Sequence, residues 1–245
     1  EVLEHARAVG FGTVLNTKGI GLADRPNLLS FTDVLVLSLD TLNAKELAPL
    51  IGRPLEVAES ILAALDFAMT ASRRTGTRLV LSAVATPDNL AGVDLVREYA
   101  LEHGLGFQIS PQIVGTQVHP GLRDNADYRF LIDGVLREKI ERKGVLGVSK
   151  YLEGIRDFSS FHCYPLLMPV IRPDGRLYYP CLEWKRADVS LLEAGSYRAA
   201  LRKARTLCGD IPTCRDSCQL FCHMALSLLQ AHPIAALKEI RHLRN

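Results

Sequence analysis

Hydrophobic positions in the first two thirds of the chain follow two periods in turn. Val34-Leu35-Val36-Leu37-Ser38 and residues 78–84 are continuous apolar runs of strand length, the pattern of parallel strands buried on both faces. Ala58, Ile61, Leu62, Leu65 and Met69 recur at helical spacing, which predicts a helix over 55–74 that Gly76 ends. Residues 12–16 and 106–110 predict two further strands, and 19–31 a loop or short helix. The turn Thr86-Pro87-Asp88-Asn89 offers N-cap residues to a helix over 90–103, closed by Gly104. A last helix of this part, 126–142, is expected to leave the sheet. Strands alternating with helices predict an α/β fold, a partial (β/α) barrel of four parallel strands. A closed barrel of this kind needs eight.

Val2, Leu3, Ala6 and Val9 fall on one face of a helix that is under way at Glu1 and stops at Gly10. No Met and no capping residue precede it, so the chain reads as the remainder of a longer one. The character changes near Lys143, which divides a barrel part (1–143) from a small α+β, cysteine-rich part (144–245). In the second part a short helix over 149–155 comes first. Pro173-Asp174-Gly175 then joins the β-prone runs 166–172 and 176–179 as a hairpin. Helices are expected over 196–207 and 214–242, the latter broken at Pro233.

Composition narrows the function classes. Hydrophobic residues make up 48%, enough for a sizeable core, and the net charge of +2 gives no nucleic-acid footprint. No apolar run approaches the roughly 20 residues that span a bilayer, and no leader pattern opens the chain. All six cysteines lie at or after Cys163. Such clustering in a chain of this size points to metal in a reducing, cytoplasmic compartment rather than to disulfides.

Cys163 and Cys181 flank the predicted hairpin, whose ends would bring both thiols together. Cys214, Cys218 and Cys222 are four apart and share a face if the last helix starts at Cys214. With Cys208 these exceed the four thiolates of a [4Fe–4S] cluster or a zinc site. No Cys-x2-Cys pair is present, which favours a cluster over zinc. His162 and His223 adjoin the cysteines and are expected to be hydrogen-bonding neighbours rather than ligands. His119, Gln108, Gln112 and Gln117 could line a polar pocket or serve a loop. Trp184, Tyr178 and Tyr179 are expected to shield the metal from water.

Cys163-Tyr164-Pro165 through Pro173-Asp174-Gly175 to Tyr179-Pro180-Cys181, followed by Cys208-x5-Cys214-x3-Cys218, resembles the auxiliary-cluster extensions called SPASM and Twitch of radical S-adenosylmethionine (SAM) enzymes. Two positions depart from the SPASM pattern. Arg205 stands where it has a further Cys, and the step from Gly175 to Cys181 is one residue longer. The resemblance therefore implies one auxiliary [4Fe–4S] cluster held by Cys163, Cys181, Cys214 and Cys218, with Cys208 and Cys222 as further candidates. Leu15-Asn16-Thr17-Lys18-Gly19 resembles the third barrel strand of that family, and Leu37-Ser38-Leu39-Asp40 the end of the fourth. The resemblance implies a SAM site that includes Thr17, Ser38, Asp40 and Ser82, with Arg53 as the guanidinium for the SAM carboxylate. Ser82 and Ser110 are expected to end their strands at matching depth.

The sequence contains neither the Cys-x3-Cys-x2-Cys of the SAM-cleaving cluster nor the Gly-Gly-Glu strand. The resemblance thus implies a parent chain that supplies both, with a second [4Fe–4S] cluster. That parent would cleave SAM to a 5′-deoxyadenosyl radical and abstract hydrogen from a peptide or small-molecule substrate. An electron donor such as flavodoxin or ferredoxin would serve it. This chain alone is expected to be inactive. The alternatives are a non-radical, TIM-like binding or regulatory fragment with structural zinc, and an inactive remnant whose cluster stabilises the fold.

Overall fold

Four strands, β1 (Val14–Thr17), β2 (Val34–Ser38), β3 (Arg78–Ala85) and β4 (Gly106–Pro111), form a parallel sheet in the order β1-β2-β3-β4. In this computed structural model residues 1–141, 144–184, 187–211 and 218–233 are described. The chain divides into two units, 1–112 with 124–147, and 113–123 with 148–245.

In the first unit each strand is laid down on the same side of its predecessor. Right-handed crossovers then place every connecting helix on one face of the sheet. Those helices are α2 (Ala44–Ile51), α3 (Leu55–Thr75) and α4 (Leu90–Glu102), after an opening α1 (Val2–Ala8). Strand alternation matches this arrangement. Leu35, Leu37, Leu79, Leu81, Ala83, Phe107 and Ile109 all point to one side and are at most 4% exposed. Gly19 marks how closely α3 approaches. A Cβ there would lie 2.7 Å from Ala64 Cβ and 3.0 Å from Leu37 Cδ1, and the residue has φ +88°. Only glycine fits both conditions.

Asn89 does not cap α4. Its side chain turns back instead, accepting from Thr86 N and donating to the Val84 carbonyl. This satisfies the turn rather than the helix. α1 forms where predicted but buries none of its residues. The helix α5 (Ala126–Glu141) does not lead out of the sheet. It packs on α4, and the chain returns to pair beside β4, with Phe107 N donating to Gly144 O and Leu146 N to Phe107 O. A single bridge carried too short an apolar pattern to be read as a strand.

The second unit holds a small hairpin, β5 (Ile113–Val114) and β6 (Gln117–Val118), and the helix α6 (Ser149–Asp157). Its antiparallel sheet has three strands, β7 (Val170–Ile171), β8 (Arg176–Tyr179) and β9 (Ala187–Ser190). The predicted turn closes β7 onto β8: Gly175 N donates to Arg172 O, and Gly175 takes φ +77°. The third strand was not predicted. After α7 (Leu191–Ala194), the helix α8 (Tyr197–Cys208) packs on this sheet through Ala200 and Ala204, which join Leu177, Tyr179 and Val189 in a core. The last described helix is α9 (Phe221–Ala231). The unit boundary falls after Gly147 rather than at Lys143, which lies outside the described residues, and residues 113–123 group with the second unit. Among the described residues no helix is long and apolar enough to cross a membrane.

A side-chain clamp joins the starts of β1 and β2. Asp33 Oδ2 accepts from Thr13 N at 2.7 Å and lies 3.1 Å from Thr13 Oγ1. The two Thr13 bonds, with Arg7 nearby, hold the Asp33 carboxyl below its ordinary range against a smaller opposing effect of burial. A carboxylate lowered in this way stabilises the fold above its ordinary value near 4 and loses that contribution as pH falls through the folded-state value. Thermal melts should therefore show Asp33→Asn less stable than wild type at neutral pH, with the two curves converging below about pH 4.

Candidate functional site

Pairing registers fix which residues stand level on the sheet face opposite the helices. Asn16 pairs with Val36, Ser38 with Ser82, and Ser82 with Gln108. Alternation puts Asn16, Ser38, Ser82, Gln108 and Ser110 on this face, together with Val14, Val36, Val80 and Val84. Ser38, Ser82 and Gln108 form a level polar row of half-buried side chains, and Ser38 Oγ donates to Asn16 Oδ1 at 3.1 Å. Parallel sheets normally bury both faces under apolar cover. A polar row across the middle strands departs from that rule, and such departures mark functional surfaces.

The predicted cofactor residues separate on this geometry. Ser38 and Ser82 are brought together. Thr17 pairs with Leu37 and so points to the helix-covered face, where its Oγ1 accepts from Gly19 N at 3.0 Å. Asp40 follows β2, and its Oδ1 accepts from Val84 N at 2.8 Å, which prolongs the β2–β3 ladder with a side chain. Its other oxygen lies 3.6 Å from Lys18 Nζ. Arg53 is exposed between α2 and α3. Because α3 runs back to the start of β3, Arg53 lies toward the carboxy-terminal ends of the strands. Ser82 and Ser110 are not at matching depth: Ser110 pairs with Val84, and β3 continues to Ala85. Gln108 is the residue level with Ser82. Asn16 and Gln108 were missing from the predicted cofactor set. Alternation along β4 puts Gln108 and Ser110 on one face, but the register that sets Gln108 level with Ser82 is not written in either strand alone. Gln112 follows β4 in the first unit. Gln117 and His119 belong to the second, where His119 Nδ1 accepts from Gly121 N and so serves a turn.

In the second unit two contacts position the segments of Cys163 and Cys181. The hairpin ladder pairs only Val170 with Tyr178 and Ile171 with Leu177, so it does not reach Cys163. Pro165 and Pro169 lack the N–H groups that would prolong it. Cys163 is held instead through its neighbour, since Tyr164 N donates to Ser227 Oγ on α9 at 2.9 Å. Cys181 is buried just beyond β8. Tyr179 is fully buried in the core, and its hydroxyl donates to Gly209 O at 3.0 Å, which ties the approach to Cys181 to the residue after Cys208. Tyr179 is thus a core residue rather than a cover for metal. Tyr178 is half-buried beneath the Arg172 guanidinium, and Trp184 is half-buried.

Cys214 lies outside the described residues. Cys218 is buried but precedes α9, whose N-cap is Leu220, and Cys222 is exposed in the first turn. Cys218 therefore lies outside the helix that carries Cys222, and these two do not share the expected helix face. Burial of part of the Cys222 side chain pushes its thiol up, which disfavours the ligating thiolate there. Among the described residues no three Cys, His, Asp or Glu side chains converge on one metal position. His162 is exposed, whereas His223 is 3% exposed and its ring nitrogens have no hydrogen-bond partner among the described residues. Burial lowers the His223 pKa, against a smaller upward effect of the Glu183 charge. An unpaired buried polar group costs about 1–3 kcal/mol.

No protein-family model matches the sequence, and no curated protein matches it significantly. Two solved structures share its fold, both of the enzyme designated anSMEcpe, an anaerobic sulfatase-maturating enzyme of the radical SAM SPASM type. One is the hexahistidine-tagged protein with bound AdoMet (S-adenosylmethionine), at TM-score 0.56 and 16% identity, covering 93% of this chain and 72% of the other. The second is the native protein with AdoMet and the Cp18Cys peptide, at TM-score 0.54 and 16% identity, covering 94% and 76%. The α/β fold with its four-stranded parallel sheet is therefore shared with these two structures.

The side-chain role of Asp40 has a direct readout. Asp40→Ala should lower stability by about 1 kcal/mol in denaturant titration and speed hydrogen exchange at the Val84 amide.

Proposed function

We propose that this chain is part of a radical SAM enzyme, that the polar face of its parallel sheet binds S-adenosylmethionine, and that its second unit holds an auxiliary iron–sulfur cluster. The observation that carries this reading is the level row Ser38, Ser82 and Gln108, joined by Asn16, on the face away from the helices. The shared fold with two AdoMet-bound structures supports it.

The row supplies hydroxyl and amide groups that both donate and accept. This suits a ligand carrying an amine, a carboxylate and ribose hydroxyls. Arg53 is the candidate partner for the carboxylate, because a guanidinium holds it with two parallel bonds. Thr17 and Asp40 act in this reading as positioning residues: one orders the turn after β1 and the other fixes the end of β3. The apolar neighbours Val36 and Val80 keep the floor of the site dry, which strengthens each polar contact above it. A peptide is the proposed substrate class, in keeping with the peptide bound by one structural neighbour.

Cys163, Cys181, Cys214 and Cys218 are the proposed cluster ligands, with Cys208 as a further candidate. The support for this part of the reading is the cysteine pattern with the burial of Cys181 and Cys218; the described residues alone do not bring three ligands together, and Cys214 lies outside them. When bound, such a cluster supplies a one-electron carrier whose potential the surrounding burial and hydrogen bonds tune.

Two measurements test the reading. In equilibrium binding to AdoMet, Ser82→Val and Gln108→Leu should each weaken affinity about tenfold, while Ser60→Ala on α3 leaves it unchanged. Anaerobic reconstitution should give about four iron and four sulfide per chain, lost in Cys163→Ser or Cys181→Ser. One zinc without sulfide would favour a structural metal domain instead.

A further inference from the structure

The helix α8 departs from the charge pattern of the helices in the first unit. α3 has Glu56 in its first turn and Arg73 and Arg74 in its last, and α5 has Asp127 first and Lys139 last. Both follow the helix dipole, which favours acids at the amino end and bases at the carboxy end. α8 carries Arg198, Arg202, Lys203 and Arg205 and no acidic residue. Among the described α-helices it alone has lysine or arginine without aspartate or glutamate. All four cations are exposed, and among the described residues none of their side chains has an ion-pair partner.

Three of the four stand in line. Arg198, Arg202 and Arg205 follow at steps of four and three, so they share one face and span about 10 Å along the axis. Ala200 and Ala204 turn the opposite side of the helix into the core. The half-buried Ala199 and the exposed Thr206 lie between the arginine row and Lys203, which leaves a low strip bordered by cations. Both ends of the helix are fixed. Ser196 Oγ accepts from Ala199 N at 3.2 Å, and the Tyr179 hydroxyl donates to Gly209 O at 3.0 Å. The row costs the helix stability, because like charges four apart repel and Arg198 in the first turn opposes the dipole. A face that served only solubility would mix the two signs.

A guanidinium offers paired N–H donors that match a carboxylate or a phosphate. Two features favour carboxylates on a protein over a nucleic acid. Leu207, four residues after Lys203, is 65% exposed at the border of the strip, and arginine beside exposed apolar surface is the composition of a protein interface. The one aromatic residue of α8, Tyr197, packs against the core and leaves no ring on which a base could stack.

We propose that the outer face of α8 docks the acidic surface of a partner protein, with Arg198, Arg202 and Arg205 each holding a carboxylate. Charge complementarity fixes the occupant: a rigid row of unpaired guanidinium groups matches a row of carboxylates. The inference needs neither the S-adenosylmethionine face nor a cluster in the second unit.

The test uses the full chain and two labelled probes of equal net charge, a synthetic peptide of glutamate and leucine and an oligothymidylate, in fluorescence anisotropy at low salt. The peptide should bind saturably, more tightly than the oligothymidylate, and more weakly as salt rises. The variant Arg198→Glu/Arg202→Glu/Arg205→Glu should bind it at least about tenfold more weakly. Arg73→Glu/Arg74→Glu/Arg129→Glu, an equal change of charge at exposed sites of α3 and α5, should leave binding within about twofold. Arg198→Glu alone should melt at the wild-type temperature or above it, since an acid in the first turn suits the dipole. Absence of saturable peptide binding, equal loss in both triple variants, or tighter binding of the oligothymidylate would overturn the proposal. A lowered melting temperature of Arg198→Glu would assign the row to the fold and overturn it as well.

Discussion

Backbone hydrogen bonds hold Ser38 level with Ser82, and the next ladder holds Ser82 level with Gln108. The candidate ligand face depends on these two registers. A slip of one residue in β3 would turn Ser82 onto the helices and bring Leu81 and Ala83 to the open side. The register is specified by the other face, where Leu35, Leu37, Leu79, Leu81, Phe107 and Ile109 must all meet α3 and α4. Hydrophobic burial on one side thus places polar groups on the other. The Asp40–Val84 bond guards the β2–β3 register at the end of the strands, and the Thr13–Asp33 clamp guards the neighbouring β1–β2 register at their start.

The second unit uses a different device. Its hairpin is too short to join Cys163 to Cys181, and separate tertiary contacts position each of the two segments. Tyr179 anchors the Cys181 approach to Gly209, and Ser227 anchors the Cys163 segment to α9. A small unit with few core residues and several thiols is the kind of structure in which bound metal contributes to folding as well as to chemistry.

Much of the first unit was legible because its signals are local. Continuous apolar runs gave β2 and β3, helical spacing gave α3, and Gly76 ended it in the left-handed conformation that predicted stops require. What could not be read were quantities set by pairing. The depth of Ser110, the side on which Thr17 falls, and the return of the chain to Phe107 at Val145 depend on register between distant segments. The same limit applied to the cysteines. A spacing of four suggested one helix face, yet α9 begins after Cys218, so that residue lies outside the helix. His223 was visible as a residue beside a cysteine, but its burial is a tertiary fact.

The most direct test of the ligand face is a titration of the isotopically labelled chain with S-adenosylmethionine, followed by backbone amide chemical shifts. The account predicts saturable shifts centred on Asn16, Ser38, Ser82 and Gln108, with the helix-covered positions Leu79 and Ile109 little changed. Saturable shifts confined to the helix side or to the second unit, or no shifts at all, would contradict it.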